Sequence, residues 1–174
     1  MRRTTLAVTG LLGGAFAASS ADAHVTLENR QATPGSYYKA VFAVPHGCAG
    51  SATVKIRVQI PEGIIAVKPM PKAGWSVETI KGKYSTSYEL HGATISEGVK
   101  EVLWSGGKLA DDNYDEFVLS TFLTGSLKPN TTLYFPVVQE CEQGSSRWIE
   151  IPQDGKPAHD SKSPAPGVRL MPKP

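Results

Sequence analysis

The chain has 174 residues, with 18 Lys and Arg against 16 Asp and Glu, for a formal net charge of +2. That near-balance, with no cationic block, excludes the charge pattern of a nucleic-acid binder, so no nucleic acid is expected as a partner. The length suits one domain with its own hydrophobic core, and no apolar run is long enough to span a bilayer of about 30 Å as a permanent helix.

From the amino end, Arg2 and Arg3 form a basic start and Leu6 to Ala18 a short run of apolar and small residues. Ala21-Asp22-Ala23 then fits the small-x-small rule for signal-peptidase cleavage, so residues 1–23 read as a signal peptide. Its removal leaves 151 residues that begin at His24, with the net charge lowered to +1, as a periplasmic or secreted product.

The mature chain reads as strands and turns. Tyr38 to Val44 alternates until Pro45 stops it. Thr53 to Ile60 alternates without a slip, predicting Val54, Ile56, Val58 and Ile60 on an inner face and Lys55, Arg57 and Gln59 outside. Trp75–Ile80 and Tyr84–Leu90 flank Lys81-Gly82-Lys83, which predicts a hairpin with a three-residue loop. Glu101–Trp104 is a short strand that Gly106-Gly107 should break. Phe117–Leu123 and Thr132–Val138 are rich in aromatic and β-branched residues, with a turn at Lys128-Pro129-Asn130. Arg147–Ile151 is the last expected strand. No window carries an apolar stripe at helical period. Eight or nine short strands imply an all-β, single-domain fold of two antiparallel sheets face to face, with a closed barrel as the alternative. The division is residues 24–152 as the domain. Residues 153–174 hold five of the thirteen prolines and form either an extended strap or a disordered tail.

Cys48 and Cys141 both lie in the mature chain. Export makes a disulfide their expected state, closing a loop of 93 residues. Thiolate metal ligation is the alternative, against which the wide separation and the lack of a CxxC pair argue.

The chemistry concentrates at the new amino terminus. An N-terminal His24 offers a primary α-amine and its own ring Nδ1, which together chelate one metal ion. An α-amine titrates near 7.7–8.0, so a metal displaces its proton at neutral pH with little difficulty, and nitrogen donors in a flat arrangement suit Cu(II). A histidine at a cleavage site also arises by chance. His46 sits two residues from Cys48, so a bridge brings it close to Cys141 and places it with Trp148 at one end of the sandwich; it also reads as a polar cap on a loop. His91 and His159 read as solvated. Glu28, Glu140 and Glu142 are candidate oxygen ligands that serve equally well as solvated acids at strand ends. Asp111 to Glu116 resembles a calcium loop in composition only, lacking its glycine and spaced glutamate. With Met70 and Met171 as the only mature methionines, a methionine-rich Cu(I) site has no support. GxSxG, HExxH and a phosphate-binding glycine loop are all absent, so the chain is not expected to be an enzyme.

Taken in order, His24-Val-Thr26, Val44-Pro-His-Gly-Cys48, Ile60-Pro-Glu-Gly63 and Pro69 to Trp75 resemble the YcnI-like family, bacterial exported domains associated with copper handling. Trp104-Ser-Gly-Gly107, Tyr114-Asp-Glu-Phe117 and Gln139-Glu-Cys141 leading to Trp148 continue the resemblance. It implies an immunoglobulin-like antiparallel β-sandwich that binds one Cu(II) per chain through a mono-histidine brace, the α-amine and ring of His24. It further implies a tryptophan beside the copper, matched by Trp148, and a carboxylate ligand, for which Glu28 is nearest in sequence. The function expected is Cu(II) binding in homeostasis or as a metallochaperone, with another exported copper chaperone or a membrane copper transporter as partner. Two alternatives stand beside it. A histidine-brace oxidase or monooxygenase would need a second histidine, for which His46 is the candidate. The other is a metal-free structural or interaction sandwich.

Overall fold

The computed structural model describes residues 24–152 and 161–173; the expected signal peptide and His159 lie outside the described residues. The described chain is all-β. A four-stranded sheet runs in the order β1 (Thr26–Leu27), β3 (Ser36–Val44), β8 (Asp115–Leu123), β5 (Ile64–Pro69), all antiparallel. A five-stranded antiparallel sheet runs β11 (Ser145–Trp148), β10 (Val137–Cys141), β4 (Thr53–Gln59), β7 (Ala93–Leu109), β6 (Ser76–Leu90). Both sheets end in edge strands, so the architecture is an open sandwich and not the closed barrel.

The core lies where the alternation of the two sheets meets. Tyr38, Ala40, Phe42 and Val44 of β3 and Phe117, Leu119 and Leu123 of β8 face Ile56, Val58, Val102, Trp104 and Val137. Phe117 is edge-on to Trp104 at 5.5 Å and to Trp75 at 5.0 Å. Thr121 is fully buried in this layer because its hydroxyl donates to Tyr38 O at 2.8 Å, which satisfies the buried group. Cys48 and Cys141 are bridged, with their Cα atoms 6.0 Å apart.

A third, small sheet was not foreseen. In it β12 (Gly167–Leu170) runs parallel to β2 (Gln31–Ala32) and antiparallel to β9 (Thr132–Tyr134). Residues 161–173 thus form a strap, and Val168 and Leu170 are fully buried in the main core, which therefore draws on chain beyond Pro152. The expected Thr132–Val138 strand is split at Pro136, which has no N–H for a ladder; β9 joins the small sheet and β10 the large one.

Three expectations need correction. Val54 is only half-buried, and Thr53 takes the inner position with no exposure. The register passes from Glu140↔Lys55 to Cys141↔Thr53, so Val54 is the extra residue of a bulge that flips the face of the strand end. The predicted loop at Lys81-Gly82-Lys83 is no turn: β6 runs straight through it, and Gly82 faces Gly98 across an irregular stretch of the ladder. The turn lies at His91-Gly92, whose φ angles of 50° and 79° suit a two-residue hairpin loop. The far half of this hairpin covers Ile65 and Phe122 with Tyr84, Tyr88, Leu90 and Ile95. Finally, Gly106-Gly107 does not break β7. A Cβ at Gly107 would fall 2.2 Å from the Trp75 indole, so the glycine is the seat of that ring and the strand continues past it.

Candidate metal centre

Strand β1 pairs with β3 as Thr26↔Ala43 and Leu27↔Phe42. Continued two residues towards the amino end, this register sets His24 opposite Pro45, beside His46. The His24 ring stands edge-on to Trp148, with centroids 5.2 Å apart and planes at 75°. Its Nε2 is buried and has no hydrogen-bond partner. A buried polar nitrogen left unpaired costs about 1–3 kcal/mol, and in native proteins it commonly marks a site completed by an ion or water. The imidazole is thus held by packing against the indole with Nε2 turned inward and unpaired.

Trp148 is fixed from behind by Gln139, a residue that sequence reasoning missed. Gln139 is 1 % exposed. Its Oε1 accepts from Trp148 Nε1 at 3.0 Å, and its Nε2 donates to His46 O and to Thr53 Oγ1, each at 2.7 Å. One side-chain amide therefore ties together the indole, the His46 loop and the bulged end of β4. A signal was available: Gln139 lies between Val137 and Cys141 on the inward alternation of β10, where a polar residue needs buried partners.

His46 and Trp148 do share one end of the sandwich, joined through Gln139 and the disulfide. The His46 Nδ1–H donates to Gly47 O at 2.5 Å, and the carbonyl acceptor fixes the proton on Nδ1. Glu28 is exposed and stands four residues from His24, roughly 13 Å along an extended chain. The charge of Glu28 is felt instead at Tyr114, whose hydroxyl donates to Glu116 at 2.6 Å. That bond first, then partial burial and the nearby carboxylates Glu116, Glu28 and Asp115, push the Tyr114 phenol up to about 12.

The other candidate groups are engaged elsewhere. Glu140 pairs with Lys55 at 3.0 Å and Arg57 at 3.7 Å, and Glu142 with Lys108 at 2.6 Å. His91 is bonded to the Tyr37 hydroxyl at 3.0 Å. Asp111 accepts from the Gly47 and Gly50 amides at 3.0 and 3.3 Å, latching the disulfide loop. Asp115 pairs with Lys72. Among the described residues no group of three His, Cys, Asp or Glu is arranged to hold a metal. No helix among them is long and apolar enough to cross a membrane.

Facing antiparallel sheets of four and five strands, with a disulfide from the loop after β3 to the end of β10, define an immunoglobulin-like β-sandwich. Residues 24–170 match the model of a family described as a domain of unknown function, DUF1775, and the chain belongs to that family. No curated protein matches it. Among solved structures it is similar to an uncharacterized protein from Nocardia farcinica, described as having an immunoglobulin-like fold. The TM-score is 0.62 and the identity 21 %, over 85 % of this chain and 98 % of that one. At that identity the likeness is one of fold.

Proposed function

We propose that this domain is an exported, YcnI-like Cu(II)-binding protein of copper homeostasis that holds one ion at His24 and passes it to another exported chaperone or a membrane transporter. Residues 1–23 act as the signal peptide, and cleavage after Ala23 frees the His24 α-amine. That amine and ring Nδ1 then hold the ion, with Trp148 beside it. The observation that carries the reading is the edge-on contact between the His24 ring and the Trp148 indole. One ring and one amine make a labile site, which favours transfer over oxygen activation, and we read the protein as a carrier and not an enzyme.

The test is a parallel Cu(II) titration of protein beginning at His24, of the same protein with its α-amine acetylated, and of His24→Ala. An acetylated nitrogen no longer donates to the metal and the alanine variant lacks the ring, so both should lose tight binding, and the mature protein should show quenched fluorescence that Trp148→Phe diminishes. Equal affinity in the acetylated protein would place the copper elsewhere.

A further inference from the structure

The β6–β7 hairpin changes character beyond Gly82 and Gly98, which face each other across its ladder. The register slips on both sides of this pair, between Ile80 and Lys81 and again between Lys83 and Tyr88. Outside it, residues 83–97 form an arm that packs on the four-stranded sheet. Tyr37, Phe122 and Ile65 stand in one row of that sheet, through the pairs Tyr37↔Phe122 and Ile65↔Phe122. Their chain neighbours Ile64 and Leu123 belong to the main core, so the row lies on the outer face. Tyr84, Tyr88, Leu90 and Ile95 of the arm cover Ile65 and Phe122, and His91 at the turn meets the Tyr37 hydroxyl at 3.0 Å. The arm therefore crosses β5, β8 and β3 in turn, and its small apolar cluster is separate from the one that fills the sandwich.

The polar attachment of the arm is concentrated at Glu62, in the turn before β5. One carboxylate oxygen accepts from the Tyr88 hydroxyl at 2.8 Å and from the Ser85 amide at 3.1 Å. The other accepts from Lys100 at 2.7 Å, on the body side of the glycine pair. The closed arm also carries a cost. The Tyr84 hydroxyl is buried over Gly98 without a hydrogen-bond partner, and lifting the arm hydrates it. A two-stranded hairpin has little stability of its own, so a unit held by one small cluster and one carboxylate opens more easily than the whole domain unfolds. Facing glycines give the ladder the backbone freedom of a hinge. We infer that residues 83–97 are a clasp, hinged at Gly82 and Gly98 and latched at Glu62, that opens while the sandwich stays folded. Opening uncovers the row of Tyr37, Phe122 and Ile65, so the clasp gates an aromatic and apolar strip on the outer face of the four-stranded sheet.

The test is thiol labelling of the folded protein. Cys48 and Cys141 are bridged, so one introduced cysteine is the unique free thiol. Ile65→Cys reports on the clasp and Ile56→Cys on the main core, both positions being fully buried. Labelling with an aromatic disulfide reagent is followed in native buffer and in low urea. Ile65→Cys should react at least about tenfold faster, at a rate that low urea scarcely alters, because a local opening exposes little surface. Ile56→Cys should accelerate with urea, as global unfolding requires. Adding Glu62→Gln should speed the labelling of Ile65→Cys several-fold. Hydrogen exchange of the unsubstituted protein gives the same comparison without a core substitution: amides of residues 88–95 should exchange ahead of those in β3 and β8. Equal labelling rates with equal urea dependence, arm amides that exchange together with β3 and β8, or an Ile65→Cys rate indifferent to Glu62→Gln would each overturn the clasp.

Discussion

Replacing Gln139 by Leu keeps the approximate size of the side chain and removes the hydrogen bond that holds the Trp148 indole. The Trp148 indole N–H, the Thr53 hydroxyl and the His46 carbonyl each lose a partner. Thr53 has no exposure and Trp148 only 8 %, so water cannot readily replace the amide at either. An unsatisfied buried group costs about 1–3 kcal/mol. Counting two such groups, and letting the His46 carbonyl on its loop recover with water, the loss should be about 3 kcal/mol. For a domain of this size each kcal/mol lowers Tm by roughly 2–4 °C, so a drop of about 6–12 °C is expected. Urea unfolding gives the direct measure, with the midpoint moving and the slope unchanged. Gln139→Glu keeps the acceptor for Trp148 but sets a carboxylate against the His46 carbonyl, and should be no better tolerated. A loss below about 1 kcal/mol for Gln139→Leu would show that the amide is not what orders this end of the sandwich.

Three further expectations follow from the fold. Thiol counting on unreduced, denatured protein should find none, and the double variant Cys48→Ala, Cys141→Ala should lose up to roughly 4–5 kcal/mol in unfolding experiments; two reactive thiols would reopen thiolate ligation. The bulge predicts that Val58→Ala destabilises far more than Val54→Ala, and that Ile56→Val costs about 0.5–1.5 kcal/mol; equal costs for the two valines would contradict the face assignment. Partial burial pushes the Glu62 carboxyl up, but hydrogen bonds from Lys100, Tyr88 and the Ser85 amide, with the Lys100 charge, prevail and hold it at about 2. A depressed folded value means stability that is present above the ordinary carboxylate range near 4.5 and lost as pH falls towards 2. Solvent screening keeps the effect modest. The gap in urea midpoint between wild type and Glu62→Gln should therefore close across that window, and a gap independent of pH would sink the assignment.

What could be read from the sequence depended on how local the determining contact was. The alternation of Phe117 to Leu123 and of Ile56, Val58 and Ile60 announced buried strands because each face is set by the next residue but one. The grouping of His46 with Trp148 was legible because Cys48 and Cys141 are covalent signposts. Gly82 was misread because a glycine inside a long strand and a glycine that turns a hairpin look alike until Gly98 is seen opposite. Gly107 was read as a breaker when its missing Cβ is room for Trp75, a contact across 32 positions of chain. Strands β1, β2 and β12 have two to four residues, too few for any period to register. The amide bonds of Gln139 span up to 93 positions, so only its polarity on an inward face hinted at them.

The strap has a consequence for the order in which the molecule is made. Strands β1 and β12 stand at opposite ends of the sequence and touch in space, and Val168 and Leu170 complete the same core that holds Leu27. A chain that grows from its amino end cannot close that core until residues 164–170 have emerged. Until then the nascent sandwich lacks a piece of its interior and stays loosely packed. A polypeptide kept open in this way can still be threaded through a narrow pore, and the end of the sandwich that holds His24 is finished last although its first strand is made first.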